Sequence, residues 1–142
     1  MADKTIHIEV VTPERVVFSG EIKELSAPGI DGDFGVLPGH TPFATVLKTG
    51  VVTIKKADNT DDGMAISGGY IEVTAAKITL LVETAEIASE IDPERAKKKL
   101  EEKERLLKSK TSKDFDFDKV NSGLMKEIAR LKVIDLVKRK RK

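Results

Sequence analysis

The apolar residues of this chain change their spacing once, near Ile91, and this change constrains the fold more than any other feature. Before it, short β-branched and aliphatic runs alternate with polar residues, which is the period of half-buried strands. After it, apolar residues recur every three or four positions, which is the period of amphipathic helices. Strands and helices that are segregated in this way indicate an α+β chain. We therefore predict a β-rich domain over residues 1–88 and a helical domain over residues 89–142.

Strands are predicted throughout the first part of the chain. In the first run, Ile6, Ile8 and Val10 share one face of a strand. Further runs are predicted at residues 15–18, 21–27, 43–47, 51–56, 64–66, 70–73 and 77–83. Residues typical of turns separate them, among others at Ser19–Gly20, 31–33 and 67–69. Several short strands at this spacing are typical of an antiparallel β-sandwich or barrel.

The first helix is predicted to begin at Pro93. Asp92 before it is a favoured N-cap residue, proline is favoured at the first helical position, and Glu94 complements the helix dipole. The helix should end at about Lys108, where a polar stretch begins. Its apolar stripe is predicted to contain Ala96, Leu100 and Leu107, with Leu106 beside it.

A second helix is predicted from about residue 117. Its stripe is predicted to contain Phe117, Val120, Leu124, Ile128, Leu131 and Ile134. Two amphipathic helices joined by a short polar turn most economically form an antiparallel hairpin. Each helix would then bury its stripe against the other helix or against the sandwich.

Composition limits the kinds of protein that this chain can be. A length of 142 residues allows one full domain, or a small domain with an appendage, and the absence of cysteine excludes disulfides and thiolate metal sites. Met1 leads directly into a strand pattern, so no signal peptide is expected. No run approaches the roughly 20 apolar residues of a membrane-spanning helix. We therefore expect a soluble chain, which is compatible with membership of a membrane assembly.

Charge is unevenly distributed, although the formal net charge is only +1. Residues 1–91 contain 7 Lys and Arg against 14 Asp and Glu, whereas residues 92–142 contain 18 against 10. This asymmetry indicates an acidic body with a basic arm that is directed at a negatively charged surface. Charge alone leaves open whether that surface is nucleic acid, lipid or an acidic patch of a protein.

Three stretches of the chain resemble the epsilon subunits of bacterial F-type ATP synthases. They are HIEVVTP at residues 7–13, GVLPGHTP at 35–42 and ISGGYIEV at 66–73. Residues 129–136 fit the same family, so that the resemblance covers essentially the whole chain in order. It implies a sandwich of about ten short strands followed by a helix-turn-helix, which agrees with the fold predicted from the residues alone.

The resemblance implies a noncatalytic rotor subunit of a proton- or sodium-translocating enzyme. The sandwich would bind the gamma subunit and rest on the ring of c subunits, as a peripheral protein at the cytoplasmic face of a bacterial plasma membrane. The residues that the resemblance places at gamma or the c-ring are Asp31, Asp33 and His40. The hairpin would extend along gamma to the alpha and beta subunits and inhibit ATP hydrolysis. Its folded and extended states should lie close in energy, because they exchange similar apolar contacts.

The resemblance also implies ATP as a regulatory ligand, with no required cofactor. Residues 91–96 read IDPERA and match a family pattern that binds ATP in some bacterial members. The matching positions are Glu86, Ile91, Asp92, Arg95, Ala96 and Arg130, and Lys126 replaces a family arginine. Glu102 replaces another arginine, which argues for weaker binding unless Lys103 or Arg105 substitutes for it. Asp92 and Arg95 equally suit a helix N-terminus that binds no ligand, and both interpretations stay open.

The basic side of the second helix is the contact with the beta subunit that the resemblance implies. Its residues are Lys126, Arg130, Lys132, Lys138 and Arg139. A solvated helix face is the default interpretation of such charge. The alternative function is a β-sandwich adaptor whose basic arm binds nucleic acid or another acidic partner. Nucleic acid is not expected, because the arm has neither a groove-reading element nor interleaved aromatic residues.

Two enzymatic interpretations of the sequence are disfavoured. His40 lacks a second imidazole for zinc and a recognisable nucleophile partner. The loop Ser67–Gly69 lacks the spacing of a phosphate-binding loop, and no helix is predicted after it. We therefore expect no catalytic residue and no metal site.

Overall fold

The structure, a computed structural model, describes residues 4–39, 42–109 and 117–140, with helical side chains described over 93–106 and 121–137. Seven strands come first: β1 Ile6–Val11, β2 Val16–Gly29, β3 Gly32–Val36, β4 Phe43–Leu47, β5 Gly50–Lys56, β6 Asp61–Val73 and β7 Lys77–Ile87. A 3-10 turn, Ala88–Glu90, leads into the helices α1 Pro93–Ser109 and α2 Phe117–Lys140. The predicted order of strands followed by two helices is confirmed. Neither helix, over its described residues, combines the length and apolar character needed to cross a bilayer.

The strands form two layers that share three long strands. One layer contains β3, the second half of β2, β5, the first half of β6 and the end of β7. The other contains the first half of β2, β1, the start of β7, the second half of β6 and β4. Among the described residues, all strand pairs are antiparallel except β1 with β7. The predicted antiparallel sandwich is therefore confirmed, with this one parallel pair as an addition.

The expected number of strands is wrong, because the described residues form seven strands and not about ten. The long strands β2, β6 and β7 pass from one layer to the other without interruption, and each contributes a segment to both. When these three strands are counted once in each layer, the seven strands give ten segments. The sequence therefore indicates the segments, and the structure shows which of them are continuous.

Two predicted turns are wrong because they lie inside these long, continuous strands. Ser19–Gly20 lies inside β2 and residues 67–69 lie inside β6. Glycine adopts an extended backbone as readily as a turn, and at Gly69 it is required, because a Cβ there would collide with the backbone of Leu81 on β7. The turn expected at 31–33 ends earlier, and Gly32, with a φ of 132°, already begins β3.

The sandwich core is aliphatic and lies between the two layers. Ile6, Ile8 and Val10 are buried, as their alternation predicts. They join a continuous cluster from β2 to β7 in which Ile22, Ile71, Ile78 and Leu80 are fully buried. Among the helical residues whose side chains are described, none of α1 or α2 belongs to this cluster. The sandwich core is therefore formed by the strands.

Helix α2 packs on the outer surface of the first layer, against β5 and β6. Val133 is fully buried over Gly63, where a Cβ would lie 2.6 Å from its Cγ2 atom. A second apolar cluster forms here, separate from the sandwich core; its buried members are Ala65, Ala88, Ile91, Ala96, Ala129, Val133 and Val137. Ala96 near the start of α1 meets the later part of α2, whereas Lys103 meets its earlier part at Gly123, so the two helices run antiparallel. The hairpin is therefore folded against the sandwich.

The predicted stripe of α2 is only partly correct. Leu124 is buried and Leu131 and Ile134 are half-buried, but Ile128 is 41% exposed. The side chains of Phe117 and Val120 lie outside the described residues. The face that packs on the sheet is instead formed by Ala129, Val133 and Val137, because α2 must cover both the sheet and α1 and therefore buries a broader surface than one stripe.

The predicted stripe of α1 is buried only near the start of the helix. Ala96 is buried and Leu100 is half-buried, whereas Leu106 is exposed and the side chain of Leu107 lies outside the described residues. The start of α1 is thus the part that is held in the apolar cluster.

Candidate functional site

A pocket of about 260 Å³ lies where β7, the 3-10 turn, α1 and α2 meet. Its lining residues are Glu86, Glu90, Ile91, Asp92, Arg95, Ala96, Lys99, Glu127 and Arg130. Six of the seven residues predicted to bind nucleotide are therefore brought together; the seventh, Lys126, lines a small adjoining cavity with Glu86 and Arg130. This grouping requires the folded hairpin, because the residues come from both domains.

Asp92 caps the N-terminus of α1. Its Oδ1 atom accepts hydrogen bonds from the backbone N–H groups of Glu94 at 3.1 Å and Arg95 at 3.4 Å. These are the bonds of an N-cap residue, and they explain why the helix begins at Pro93. Ile91 and Ala96 are buried on either side of this cap and belong to the apolar cluster. Part of the pocket lining is thus buried and apolar, whereas Arg95 is exposed.

Arg130 is the central cation of the pocket and joins α2 to the sandwich. Its Nε atom donates to Glu86 Oε1 on β7 at 3.0 Å, and its terminal nitrogens donate to the carboxylates of Glu86 and Glu127. The side chain is only 22% exposed. In the folded hairpin, this guanidinium is therefore bound by two carboxylates of the chain itself.

Glu127 is a buried residue of this site that the sequence analysis did not identify. It is 1% exposed, and its Oε1 atom accepts from Arg130 and from Lys103 Nζ at 3.2 Å. Its Oε2 atom is buried with no hydrogen-bond partner among the described residues. A sequence signal does exist, because Glu127 lies between Leu124 and Leu131 on the apolar side of α2, where an acid is unusual.

The charges of the pocket are close to balanced. Its described lining carries four carboxylates, from Glu86, Glu90, Asp92 and Glu127, and three cations, from Arg95, Lys99 and Arg130. Glu102, the predicted charge reversal, is exposed outside the lining, and Arg105 is likewise not among the lining residues. Lys103, which was considered as a substitute for the missing arginine, points to Glu127 and the carbonyl of Gly123. An anion can therefore bind here only in competition with the carboxylates of the chain.

The residues predicted to contact other subunits lie elsewhere. Asp31 is exposed in the turn between β2 and β3, Asp33 is exposed at the start of β3, and His40 lies outside the described residues. Lys132 is exposed on α2. Lys138 and Arg139 also belong to α2, but their side chains are not among those that the structure describes. Within the described parts of the chain, no group of three or more His, Cys, Asp or Glu is arranged to hold a metal ion.

The sandwich also carries a continuous row of apolar side chains on the outer face of its second layer. Direct register partners connect β4, β6, β7, β1 and β2 in the order Val46, Tyr70, Leu81, Val11 and Val16. Four of them are exposed, with Val46 at 47%, Tyr70 at 41%, Leu81 at 51% and Val16 at 55%. Beside this apolar row is a groove of about 450 Å³ lined by Thr12, Pro13, Gly68 and Gly69 among others. A continuous exposed apolar surface of this kind is typical of a protein interface.

Comparison with known proteins gives matches over nearly the whole chain. The family model described as "ATP synthase, Delta/Epsilon chain, beta-sandwich domain" matches residues 5–88, and the one described as "ATP synthase, Delta/Epsilon chain, long alpha-helix domain" matches residues 89–135. A protein named ATP synthase epsilon chain from Geotalea uraniireducens is 45% identical over 140 residues, which cover 99% of this chain and 100% of that protein. A protein of the same name from Geobacter sulfurreducens is 42% identical over 99% of this chain and 100% of that protein. Another, from Brevibacillus brevis, is 48% identical over 72% of this chain and 78% of that protein.

Solved structures with the same fold come from mitochondrial ATP synthases. A chain in the Euglena gracilis OSCP/F1/c-ring structure has a TM-score of 0.74 at 21% identity and covers 93% of this chain and 81% of that one. A chain in the Tetrahymena thermophila central stalk/c-ring structure has a TM-score of 0.53 at 12% identity, with coverages of 96% and 98%. At these identities the likeness concerns the fold alone.

Proposed function

Because this chain belongs to the delta/epsilon chain family of ATP synthases, as an epsilon-type chain, we propose that its sandwich docks on the central stalk and that its hairpin regulates ATP hydrolysis. The chain has no catalytic role of its own in this proposal. It is carried by the rotor as a peripheral protein at the cytoplasmic face of a bacterial plasma membrane. The nucleic-acid adaptor considered as an alternative has no support, since the matched families and relatives are ATP synthase chains.

The observation that carries the proposal is the separation of the two apolar clusters. The sandwich core contains none of the helical side chains that the structure describes, and the hairpin is held by a small cluster rich in alanine and valine. The hairpin can therefore leave the sandwich without opening its core. Burying a valine is worth roughly 1.5 to 3 kcal/mol, so equivalent contacts on a neighbouring subunit can replace those of Val133 and Val137.

The apolar row is the surface that we propose to dock on the stalk, with gamma as the partner. It lies on the layer opposite to the one that α2 covers, so that docking and hairpin movement do not compete for the same face. Asp31, in the turn before β3, and Asp33, at the start of β3, are exposed and are proposed to contact gamma or the c-ring, together with His40.

An extended hairpin would present the basic side of α2 to the alpha and beta subunits. Lys132 is already exposed, but Arg130 is bound to Glu86 and Glu127 while the hairpin is folded. Movement of the hairpin away from the sandwich separates Arg130 from Glu86. Glu127 lies three residues before Arg130 on the same helix and stays close to it, so an acidic segment of beta would take the place of Glu86 alone. Lys126, Lys138 and Arg139 complete the proposed contact, which would weaken as salt is raised.

The pocket between the domains is the proposed regulatory ATP site, and ATP would favour the folded hairpin. Its residues come from both domains, so a ligand that binds all of them binds only the folded state. Such a ligand at about 100 times its dissociation constant adds roughly 2.7 kcal/mol to that state. This free energy is sufficient to shift a balanced equilibrium about a hundredfold.

Removal of the hairpin tests the regulatory role. A chain truncated after Ala88 retains every residue of the sandwich core and the whole apolar row. We expect the enzyme reconstituted with it to assemble and to synthesise ATP, but to hydrolyse ATP faster than the enzyme with the full chain. Rates should be compared at equal occupancy of the subunit, measured by quantitative blotting. An unchanged hydrolysis rate would reject inhibition by the hairpin.

Calorimetric titration of the isolated chain with ATP tests the nucleotide site. Arg95→Ala removes an exposed cation at the rim of the pocket, and Lys98→Ala removes one from α1 outside the lining. We expect Arg95→Ala to weaken ATP binding by about tenfold, the loss of a charge-assisted hydrogen bond to phosphate, and Lys98→Ala to leave it within about twofold. Equal affinities of the unmodified chain and Arg95→Ala would dismiss the assignment.

A further inference from the structure

Glu127 lines two cavities that differ in charge. One is the pocket described above, and the other is a cleft of about 590 Å³ between α1 and α2. The cleft is lined by four cations, Lys99, Lys103, Lys126 and Arg130, and Glu127 is the one acid among its described lining residues. Four converging cations with one buried carboxylate among them form a site with the charge of an anion-binding site.

The contacts of Glu127 link three elements of the fold. Through Lys103 the carboxylate joins α1 to α2, and through Arg130, which also binds Glu86, it joins α2 to β7. Only the Oε1 atom has partners among the described residues, while the Oε2 atom is buried without one. A buried charge of this kind is costly unless its partners stay in place, so the loss of either cation should loosen the hairpin.

We propose that Glu127 is a built-in counter-ion that takes the place of a bound polyphosphate. The hairpin of this chain then closes without a ligand, and a polyphosphate enters the cleft only against the charge of Glu127. This inference rests on the proposed function in so far as that function places a nucleotide at the adjoining pocket. It makes Glu127 a specificity-determining residue, which sets how strongly the folded state depends on the ligand.

The test combines two measurements on the full-length chain with Glu127→Gln, which keeps the shape of the side chain and removes its charge. Calorimetry with inorganic tripolyphosphate should show binding tighter by about tenfold or more, because a like charge next to the bound anion is removed. Hydrogen–deuterium exchange without any anion should be faster across residues 121–137, because the hairpin has lost its counter-ion. Glu104→Gln, which removes an exposed acid of α1, is the matched control and should change neither result.

The Lys103→Met variant tests whether Glu127 acts as a counter-ion or only supports the structure of the hairpin. It breaks the same buried pair and should also speed exchange in α2, but it removes a cation and should weaken tripolyphosphate binding. A general loosening of the hairpin would instead move tripolyphosphate binding in the same direction in Lys103→Met and Glu127→Gln.

The outcomes of these measurements are distinct. Equal affinity for tripolyphosphate in Glu127→Gln and in the unmodified chain would overturn the inference, and so would unchanged exchange of α2. Tighter tripolyphosphate binding together with faster exchange supports it, whatever happens with ATP. If Glu127→Gln meets both expectations but ATP binds no better than tripolyphosphate, the counter-ion stands and the nucleotide pocket is rejected.

Discussion

Asp58 shows how a single side chain fixes the turn between β5 and β6. Its Oδ1 atom accepts hydrogen bonds from the backbone N–H of Thr60 at 2.9 Å and from the Thr60 hydroxyl at 2.5 Å. Between them, Asn59 has a φ of 70°, a left-handed conformation that asparagine tolerates better than most residues. The hydroxyl of Thr60, followed by its backbone N–H, holds the pKa of the Asp58 carboxyl below its usual value.

Replacement of Thr60 by valine should raise the pKa of Asp58, because the strongest donor to the carboxylate is lost while the backbone donor remains. Because the pKa is lowered in the folded chain, the turn contributes stability above the unfolded-state pKa, and this contribution is lost as the pH falls through the folded-state pKa. NMR titration of the Asp58 carboxyl carbon measures the shift. Thr74→Val, which removes a hydroxyl that donates to the Lys77 carbonyl instead, should leave Asp58 unchanged. An unaltered Asp58 titration in Thr60→Val would contradict the assignment.

The individual residues of the pocket proposed to bind ATP were largely predictable, whereas the balance of charge in the pocket was not. Asp92 and Arg95 follow a local pattern at a helix start, so sequence alone places them together. The pairing of Arg130 with Glu86 joins residues 44 positions apart and depends on how α2 lies on the sheet. Glu127 was missed because its role depends on Lys103 and Arg130, although an acid on the apolar side of a helix is a usable signal.

The position of helix α2 is central to the proposed regulation, and Gly63 is a residue of the sheet that lets this helix approach closely. At Gly63 a Cβ atom would lie 2.6 Å from Val133 Cγ2 and 3.3 Å from Val137 Cγ2. At Gly68 on the same strand, a Cβ would meet only an ordinary contact of 3.6 Å with the Leu47 carbonyl. The two glycines therefore offer a matched pair of substitutions that differ in what they do to the hairpin.

Gly63→Ala should weaken the docking of the hairpin by roughly 1 to 3 kcal/mol, the usual cost of inserting a methyl group into a packed contact. Hydrogen–deuterium exchange should become faster in α2 and stay slow in the strands of the sandwich core, which the hairpin does not complete. Gly68→Ala should leave exchange of α2 unchanged. If α2 is protected equally in both variants, docking does not depend on the close approach at Gly63.

Element boundaries were predicted best where a side chain sets them and worst where a glycine was taken to indicate a turn. Helix α1 begins at Pro93 as predicted, because its cap and first turn are local. Strands β2 and β6 were divided at glycines, since sequence does not reveal that a glycine such as Gly69 is required by the close approach of another strand. The face of α2 was only partly predicted, because one stripe cannot indicate that a helix packs on two neighbours.

At the scale of the whole molecule, the two outer surfaces of the sandwich differ in what covers them. One is covered by α2, and the other carries the apolar row from Val46 to Val16. A chain that docked through the surface beneath α2 could not also fold its hairpin there. In the proposed function, attachment to the stalk and regulation therefore use different surfaces, and a substitution can disturb one without the other.

Leu81→Glu should therefore weaken attachment and leave the hairpin in place. Leu81 is the middle member of the apolar row, between Tyr70 and Val11, and a carboxylate there would be buried without a partner in the docked complex. We expect the variant to bind an F1 complex that lacks this subunit at least about tenfold more weakly, which is a loss of about 1.4 kcal/mol of binding free energy. Ser26→Glu places the same charge at an exposed position of the other layer and should bind as the unmodified chain does. Exchange of α2 in the isolated Leu81→Glu chain should stay slow, so undiminished binding of this variant would show that gamma contacts another surface.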